Sequence, residues 1–500
     1  MNESYYRVPK EVSNKEIQTN DYTWSAGMFK KVIIPTKNVM QMRDLLDEKV
    51  PFNKGEEPGS KWYLFNSTHY FIRTKALQSH SYLLYPKGSA IVPLNPSIFK
   101  DLNMSDGDLL MSKDSNVGEC AIVDGDDWRN HMFSSGIVRL NPKIDKHYLF
   151  SFVKHSVFKE QLNAMSPRGS TIKHAGLRWL DCLIPFPTQE NKEEIIKYIS
   201  ILTKTIVEKE KTIKKRDKQI YDMIQNELIN NQSTEAYSFN YPNIKEIKTL
   251  GRLDGAIYST EYKSKISLIE NYSNGYSSPE KLGFTVTPGP SLEIKIIKSR
   301  IDSDEYREGF YSLLLPTHIS EYGTILKLPF MGTPKELPLI QKGDILFGEA
   351  GFQKGRSIVL IDEIKKCTTN AHGLYARRKD KDIEKSIFFR CIFDWYRTQG
   401  LIDLMAVGGS GGHFSPEYFK YIKIPNFSLE LQNEISRLYH NDFKPVNYEE
   451  ITLDNFIDYH NTLNEHLGIW ELDKQLKELI KTLNDAQEKI INGEIVKLLF

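Results

Sequence analysis

The chain has 500 residues and a formal net charge of +1, with 40% hydrophobic residues that include 25 Phe and 26 Tyr. This composition suits roughly two to four globular domains and excludes a disordered or fibrous protein. No apolar run approaches the roughly 18 residues that span a bilayer, and the polar start Met1–Ser4 is no signal peptide. Four separate cysteines without a CxxC pair predict reduced, mostly buried thiols in a cytoplasmic protein.

Residues 1–187 show the mixed pattern of an α/β domain. Runs of β-branched and aromatic residues, such as Ser81–Tyr85 and Cys120–Val123, alternate with turns that contain Gly or Pro, which is typical of strands and hairpins. A helical stretch is predicted around His147–Ala164, and a Pro-Arg-Gly-Ser loop follows it at residues 167–170. We therefore predict one mixed α/β domain over residues 1–187.

The pattern changes at residue 188 to that of one long helix, predicted over residues 188–236. Isoleucine recurs every seven residues, and no Gly or Pro occurs before Pro242. This repeat is typical of a coiled-coil seam on a helix of ~40 residues and about 60 Å. Lys209 and Arg216 interrupt the seam, and the alternative is an amphipathic helix packed on its own domain. The predicted seam residues are Ile199, Ile206, Ile213 and Ile220.

Residues 237–428 return to the β-rich pattern and predict a second mixed domain, and residues 429–500 predict a second helix. An insertion around residues 443–470 interrupts this helix and has no counterpart in the first half. The seam that follows has the alternating four- and three-residue spacing of a coiled coil. Because neither helix has a partner in its own half, we expect the two to pack together in antiparallel orientation. The predicted seam residues are Leu472, Leu476, Leu479, Leu483 and Ile490.

Three motifs occur twice, at a separation of roughly 240 residues. This separation exceeds the about 20–50 residues of a solenoid repeat and indicates a duplicated domain. Two related modules suit a long ligand that is held at two places, and DNA is the obvious candidate. The motif pairs are Gly107–Ser112 with Gly343–Gly348, Gly136-Ile137-Val138 with Gly373-Leu374-Tyr375, and Arg168-Gly169-Ser170 before Ile184-Pro185 with Gly409-Ser410 before Ile424-Pro425.

In each half the motifs are followed by Gln and Ile that open a helix, Gln189 to Ile195 and Gln432 to Ile435. This ordered set resembles the DNA specificity (S) subunit of type I restriction–modification systems over nearly the whole chain. The resemblance implies an α+β fold in which two tandem mixed α/β target-recognition domains are separated by two long helices that form an antiparallel coiled-coil spacer. It also implies a bipartite, asymmetric DNA target, with one half-site for each domain.

The same resemblance implies a non-catalytic subunit in the prokaryotic cytoplasm that acts through partners. Methyltransferase subunits, expected in two copies, bind the helices and methylate adenine N6 with S-adenosylmethionine. A restriction subunit that uses ATP and Mg is a further expected partner. We expect no cofactor in this chain and no membrane. The first forty residues and the insertion depart from the family pattern.

The sequence lacks the catalytic motifs of such a complex. It has no Asn/Asp-Pro-Pro-aromatic motif for a flipped adenine, no Gly-x4-Gly-Lys-Ser/Thr loop for phosphates and no zinc spacing of Cys and His. Two Glu-x-Lys pieces, Glu293-Ile294-Lys295 and Glu363-Ile364-Lys365, leave a self-sufficient Mg-dependent defence nuclease as an alternative. A protein scaffold that binds no DNA is the other alternative.

DNA contacts are predicted from side chains that donate to phosphates and base edges. The loop 168–174 is either such a site or an ordinary connecting loop. Ser415 is predicted to cap a helix whose N-terminus, after a Gly-rich stretch, binds an anion; the alternative is a flexible hinge. An isolated Arg on a strand has a solvated or salt-bridged surface position as its alternative. The predicted DNA-binding residues are Lys113, Asn116, Arg139, Arg168, Ser170, Lys173, Lys354, Arg356, Arg377, Arg378, Ser410, His413 and Ser415, and no catalytic or metal-binding residue is predicted.

Overall fold

The structure is a computed structural model that describes residues 5–7, 9–19, 24, 29–85, 88–125, 128–165, 175–233, 238–351, 354–408, 412–443 and 451–498. The chain divides into two compact units. The first comprises residues 1–212, 445–465 and 474–500, and the second comprises residues 213–444 and 466–473. Each unit contains one sheet-bearing module, which we call the first module (residues 1–187) and the second module (residues 237–428).

The first module has eleven strands and three helices among its described residues, and a long helix follows it. The strands are β1 (Tyr6–Arg7), β2 (Lys31–Val32), β3 (Val39–Gln41), β4 (Phe52–Lys54), β5 (His69–Ile72), β6 (Ile91–Leu94), β7 (Leu109–Ser112), β8 (Cys120–Ile122), β9 (His131–Phe133), β10 (Ile137–Leu140) and β11 (Leu183–Pro185). The helices are α1 (Asn14–Thr19), α2 (Lys146–Lys154) and α3 (Ser156–Met165), followed by α4 (Lys192–Asn230).

The second module begins after α4 and is followed by three helices. Its strands are β12 (Tyr276–Ser277), β13 (Phe284–Pro288), β14 (Ile301–Ser303), β15 (Tyr311–Leu313), β16 (Phe330–Gly332), β17 (Ile345–Gly348), β18 (Ser357–Val359), β19 (Cys367–Thr368), β20 (Gly373–Arg378) and β21 (Ile424–Pro425). The helices are α5 (Ile244–Leu250), α6 (Thr260–Glu270), α7 (Ile294–Ile297), α8 (Ile383–Thr398) and α9 (Leu401–Met405), then α10 (Leu429–Tyr439), α11 (Phe456–His466) and α12 (Ile469–Asn492). The predicted α+β class, with two sheet-bearing domains and a long helix, is confirmed.

The two modules share one sheet topology. A four-stranded antiparallel sheet has the order β4-β10-β7-β8 in the first module and β13-β20-β17-β18 in the second. A second sheet has one antiparallel and one parallel pairing, in the order β6-β5-β9, and recurs as β16-β15-β19 with β14 added at the edge. The pair β3–β11 recurs as β12–β21. The duplication that the sequence motifs predict is therefore present in the strand order.

The repeated Gly-Asp motif forms the turn before the central strand of each module. Gly107 and Gly343 have positive φ values of 81° and 87°, which glycine adopts without the steric cost that a Cβ imposes. The carboxylate of Asp108 accepts a hydrogen bond from Ser105 N at 3.0 Å, and that of Asp344 accepts one from Gln341 N at 2.8 Å. Each motif therefore closes a tight turn and delivers the chain into β7 or β17.

The apolar run after this turn is continuous because both faces of the strand are buried. Leu109 and Met111 contribute to the larger core of the first unit, and the intervening Leu110 contributes to a separate core on the opposite face of the sheet. Since successive side chains of a strand point to opposite faces, a strand with two covered faces needs apolar residues at every position. All four residues of β17 are buried as well.

Strand register corrects the predicted alignment of the second motif by one residue. Ile137 lies opposite Ser112, and Gly373 lies opposite Gly348, so Ile137 corresponds to Gly373. The sequence comparison instead aligned Gly136 with Gly373. Both segments are a glycine followed by apolar residues, so either alignment matches equally well, and only the pairing partners distinguish them.

The duplication extends to a buried cation. Lys154, at the end of α2, donates to Cys120 O at 3.1 Å, and Arg390 in α8 donates to Ser357 O at 3.3 Å. Cys120 and Ser357 are the first residues of β8 and β18, at equivalent positions in the register. Burial lowers the pKa of Lys154. In both modules a helix cation thus satisfies the same strand carbonyl.

The helix after each module is tied to that module by a hydrogen bond. Glu210 of α4 accepts from Tyr82 N at 2.7 Å, and burial raises the pKa of its carboxyl. Tyr439 of α10 donates to Gly323 O at 2.6 Å. The predicted boundaries after residues 187 and 428 fall just before α4 and α10, but each compact unit takes in helical segments as well.

Within the first unit, α4 and α12 pack in antiparallel orientation as predicted. Gln189, just before α4, donates to Val496 O at 3.3 Å, whereas Lys209 farther along α4 donates to Gln475 Oε1 at 2.7 Å, near the other end of α12. The predicted seam residues Ile199, Ile206, Leu479, Leu483 and Ile490 belong to one core, and Leu476 packs against it. In the second unit, Ile213, Ile220 and Leu472 are buried.

Part of the insertion that interrupts the second helix completes this seam. It forms α11, which places Phe456 in the core of the first unit. Lys209, fully buried at an interrupted seam position, donates to Asn464 Oδ1 of α11 at 2.8 Å as well as to Gln475. Both acceptors are neutral, and burial lowers the pKa of Lys209 to about 7. The break in the heptad pattern is thus a polar contact among three helices.

All four cysteines are free and buried, as predicted. Among the described residues, no helix combines the length and the apolar composition that crossing a lipid bilayer requires.

We expect Lys209 to make the stability of the first unit rise with pH. Its pKa is about 7 when folded, whereas an unfolded lysine has a pKa of about 10.4, so the unfolded state holds the additional proton between these values. Between about pH 7 and pH 9, the unfolding free energy of the wild type should therefore rise relative to that of Lys209→Met. The rise should be up to about 1.4 kcal/mol per pH unit. Urea unfolding read by hydrogen exchange in α4 and α11 measures this difference. Lys204→Met, at an exposed position of α4, is the control, and a pH-independent difference for Lys209→Met would contradict the assignment.

Candidate nucleic-acid interface

Three loops meet at one end of the central strand in the first module. Lys113, the residue after β7, donates its backbone N–H to Gly136 O at 2.8 Å and accepts from Ala175 N at 2.9 Å. Gly118 N donates to Ser112 O at 2.8 Å and closes the β7–β8 loop. A Cβ at Gly136 would lie 3.0 Å from the Thr74 side chain, which is a tight contact that favours glycine there. We call this meeting point the three-loop junction.

The second module has the same three-loop junction. Glu349, the residue after β17, donates its backbone N–H to His372 O at 3.1 Å and accepts from Phe414 N at 2.8 Å. Gly355 N donates to Gly348 O at 2.9 Å. The backbone hydrogen bonds correspond one to one, so Glu349 occupies the position of Lys113, and His372 that of Gly136.

The side chains at the two junctions differ in charge and chemistry. In the first module, Lys113 Nζ lies 2.6 Å from Asp114 Oδ2, and both side chains are mostly buried. In the second, Glu349 Oε1 lies 3.0 Å from His372 Nδ1 and 3.7 Å from His413 Nδ1. A conserved backbone therefore carries a lysine–aspartate pair in one module and a glutamate with two histidines in the other.

Some of the predicted DNA-binding residues lie outside the described residues, and others are located at or near this junction. Arg168, Ser170, Lys173 and Ser410 lie outside the described residues. His413 is at the junction, where its backbone exchanges two hydrogen bonds with Val407 at 2.9 and 3.1 Å. Asn116 lies in the β7–β8 loop and donates to Leu77 O at 3.4 Å.

Two predicted arginines are held by the aspartate of the Gly-Asp turn. Arg139 on β10 lies 3.1 Å from Asp108 and also donates to Asn103 O at 2.8 Å. Arg377 on β20 lies 2.5 Å from Asp344, whose carboxylate is nearly buried, and the bond raises the pKa of the Arg377 guanidinium. The salt-bridged alternative describes both residues.

Three more predicted cations are also engaged within the second module. Arg378 pairs with Asp380 at 2.5 Å, and its guanidinium carbon lies 5.1 Å from the centre of the Phe284 ring. Arg356 donates to Ile319 O at 3.0 Å. The Lys354 side chain is only 6% exposed and lies 2.8 Å from Asp403. The charges of these three residues are used in internal contacts, and their role in DNA binding stays a prediction.

The predicted helix cap at Ser415 is not formed, whereas the predicted anion site there stays a prediction. Ser415 does precede a helical segment with Pro416 at its start, but the segment is a six-residue 3₁₀ helix, Pro416–Tyr421. The Ser415 side chain makes no capping hydrogen bond. A short 3₁₀ turn does not supply the aligned peptide dipoles that favour an anion at an α-helix N-terminus.

Neither Glu-x-Lys piece forms part of a metal site in the described residues. Glu293 pairs with its neighbour Lys295 at 2.6 Å on the surface, and Lys365 donates to Tyr306 OH at 3.1 Å. Across the part of the chain that the structure describes, no group of three or more His, Cys, Asp and Glu residues is arranged to hold a metal ion.

Glu349 and His372 were missed by the sequence analysis. The predicted residue Lys113 directly follows β7, and Glu349 directly follows β17. His372 precedes β20 as Gly136 precedes β10. A residue-by-residue comparison of the two copies would have identified Glu349, but His372 also needs the strand register.

No protein-family model matches the sequence, and comparison with curated proteins finds no relative. Solved structures align with most of the chain. The S subunit of a type I restriction-modification system from M. genitalium aligns at 13% identity with a TM-score of 0.42, over 92% of this chain and 96% of its own. The HsdS subunit from Thermoanaerobacter tengcongensis aligns at 12% identity with a TM-score of 0.28, over 93% of this chain and 98% of its own. Both are S subunits.

A third aligned chain comes from a structure of the type I R-M system that concerns its complex assembly and conformational transition. It has 12% identity and a TM-score of 0.28, over 93% of this chain and 100% of its own.

We expect the Arg377–Asp344 pair to stabilise the second module. Arg377→Met leaves a nearly buried carboxylate without its cation, which should lower the free energy of unfolding by about 3 kcal/mol. Adding Asp344→Asn to Arg377→Met should recover part of that loss, because the unpaired charge is removed. Urea denaturation of the full chain, followed by hydrogen exchange in β17 and β20, measures both effects. Lys379→Met, at an exposed neighbouring position, is the control; a loss for Arg377→Met no larger than this control's would contradict the assignment.

Proposed function

We propose that this chain is the DNA specificity subunit of a type I restriction–modification complex. It reads a bipartite, asymmetric target without catalysing a reaction itself, and each module reads one half-site. The observation that carries the proposal is the duplicated module, with one strand order and one three-loop junction occurring twice. One scaffold used twice with different side chains can read two different half-sites, and Lys113 and Glu349 differ in this way at equivalent positions.

The chemistry belongs to the partners in this proposal. Methyltransferase subunits, in two copies, bind the helical segments and transfer a methyl group from S-adenosylmethionine to adenine N6. A restriction subunit that uses ATP and Mg cleaves DNA when it joins the complex. These partner roles rest on the resemblance of the sequence motifs to the S-subunit family.

The deciding experiment maps methylated adenines. The chain is co-expressed with a methyltransferase subunit, and the modified adenines in cellular DNA are identified by sequencing. The expected result is one motif made of two defined half-sites separated by a fixed gap. Its DNA affinity should fall steeply as salt rises, because contacts to phosphates release counterions.

Two other results would favour the alternatives. Cleavage of DNA by the purified chain with magnesium, abolished by Glu363→Ala, would favour the nuclease. Assembly with a protein partner at every salt concentration, without selective DNA binding, would favour the scaffold.

Exchange of one module should change one half-site. Replacing residues 1–187 with the corresponding segment of a relative should give a new first half-site and leave the second unchanged, because each module has its own core and its own junction. Replacing residues 237–428 should have the reciprocal effect and serves as the matched control. Methylated-adenine sequencing measures both exchanges, and a change in both half-sites from one exchange would contradict modular reading.

A further inference from the structure

The three-loop junction combines an invariant backbone with variable side chains. In both modules the residue after the central strand donates to the turn before β10 or β20 and accepts from the loop that returns from the helices. Three segments are fixed at this point by main-chain atoms, which do not depend on side-chain identity. A change of side chain here therefore alters the surface chemistry while the loop positions are kept.

In the second junction, a mostly buried carboxylate lies beneath two exposed imidazoles. The Glu349 side chain is 16% exposed, whereas His372 and His413 are 62% and 55% exposed. Glu349 is in hydrogen-bonding contact with His372 Nδ1 at 3.0 Å. A carboxylate only accepts hydrogen bonds, so Nδ1 carries the proton of the neutral His372 ring. The outer Nε2 of His372 is then an acceptor at the surface.

An acceptor at a groove surface distinguishes bases. In the major groove, adenine presents its N6 amine and cytosine its N4 amine as donors, whereas guanine O6 and N7 and thymine O4 are acceptors. His372 Nε2, held in this tautomer, complements an amine. Lys113 at the first junction has only donors to offer and complements guanine O6 or N7. The two junctions thus suit opposite kinds of base edge.

We propose that the three-loop junction is the base-reading end of each module, with His372 accepting from a base amine in the second half-site and Lys113 donating to a guanine in the first. Glu349 is a positioning residue that sets the His372 tautomer and ring orientation. This inference rests on the proposed function, and it assigns base-reading roles to individual residues of that interface.

The test uses the complex of the full chain with its methyltransferase and a DNA library randomised over both half-sites. Methylated adenines are sequenced to give the base preference at each position. His372→Leu removes the acceptor and should weaken the preference at one position of the second half-site by about tenfold or more, the range of a lost base-edge contact. The first half-site should be unchanged. Lys113→Met should have the complementary effect, confined to the first half-site.

Two variants of Glu349 separate positioning from packing. Glu349→Gln keeps a carbonyl oxygen that accepts from His372 Nδ1, so the base preference should be retained. Glu349→Ala removes the acceptor, so the preference should relax at the same position as in His372→Leu. His440→Leu is the matched control, because His440 forms another histidine–glutamate pair, with Glu471 at 2.6 Å, away from the junction. It should leave both half-sites unchanged.

The outcomes distinguish this inference from the proposed function. If His372→Leu and Lys113→Met both methylate with the wild-type base preference, the junction does not read bases, while the specificity role stands. If the wild-type complex selects no defined sequence, the proposed function fails and the inference fails with it. Each variant should unfold at the same temperature as the wild type, which shows that an altered preference does not arise from misfolding.

Discussion

The buried central strand of each module is the constraint on which the rest of the structure depends. β7 and β17 are covered on both faces and paired on both edges, so their register cannot slip without moving apolar side chains out of two cores at once. The residue that follows the strand consequently emerges at one fixed place. Lys113 and Glu349 owe their equivalent positions to this burial.

The two modules preserve geometry while they change chemistry. Lys154 and Arg390 differ in size and in the number of donors, yet each donates to the first carbonyl of the strand beside the central one. The arginines that pair with Asp108 and Asp344 are Arg139 and Arg377, although the register aligns Arg139 with Tyr375. Because side chains two residues apart lie on one face of a strand, either position brings a guanidinium to the same aspartate. Each module places a cation beside that aspartate, but the cation comes from a different backbone position in the two modules.

Much of the fold could be predicted from the sequence because its signals are periodic or repeated. The seven-residue repeat of isoleucine in α4 predicts a helix with a buried seam, and both are present. The Gly-Asp motif predicts the duplication because a tight turn before a buried strand requires those residue types. Such patterns depend on neighbours along the chain, which a sequence displays directly.

The site residues depend on partners that are distant in sequence, and there the predictions were weaker. Nothing near Arg139 shows that Asp108 holds it, since 31 residues separate them. Lys354 likewise has the sequence of a loop cation before a glycine, but its amine lies against Asp403 and Gly412. His372 has no motif of its own and becomes significant only when the register places it beside Glu349. A choice of arginines and lysines by residue type therefore selects cations that make internal contacts and passes over an exposed histidine such as His372.

The interruption of the seam at Lys209 also depends on partners that are distant in sequence. It fixes the register of the helices. An uninterrupted apolar seam between two helices permits neighbouring registers of similar energy, whereas a buried polar group is satisfied in one register only. Lys209 finds both Asn464 and Gln475 when α4, α11 and α12 are aligned as they are here. A slip of one heptad would leave a buried amine without acceptors, at a cost of several kcal/mol. The insertion in the second helix thus supplies α11, which provides one of the two acceptors of the buried lysine in α4.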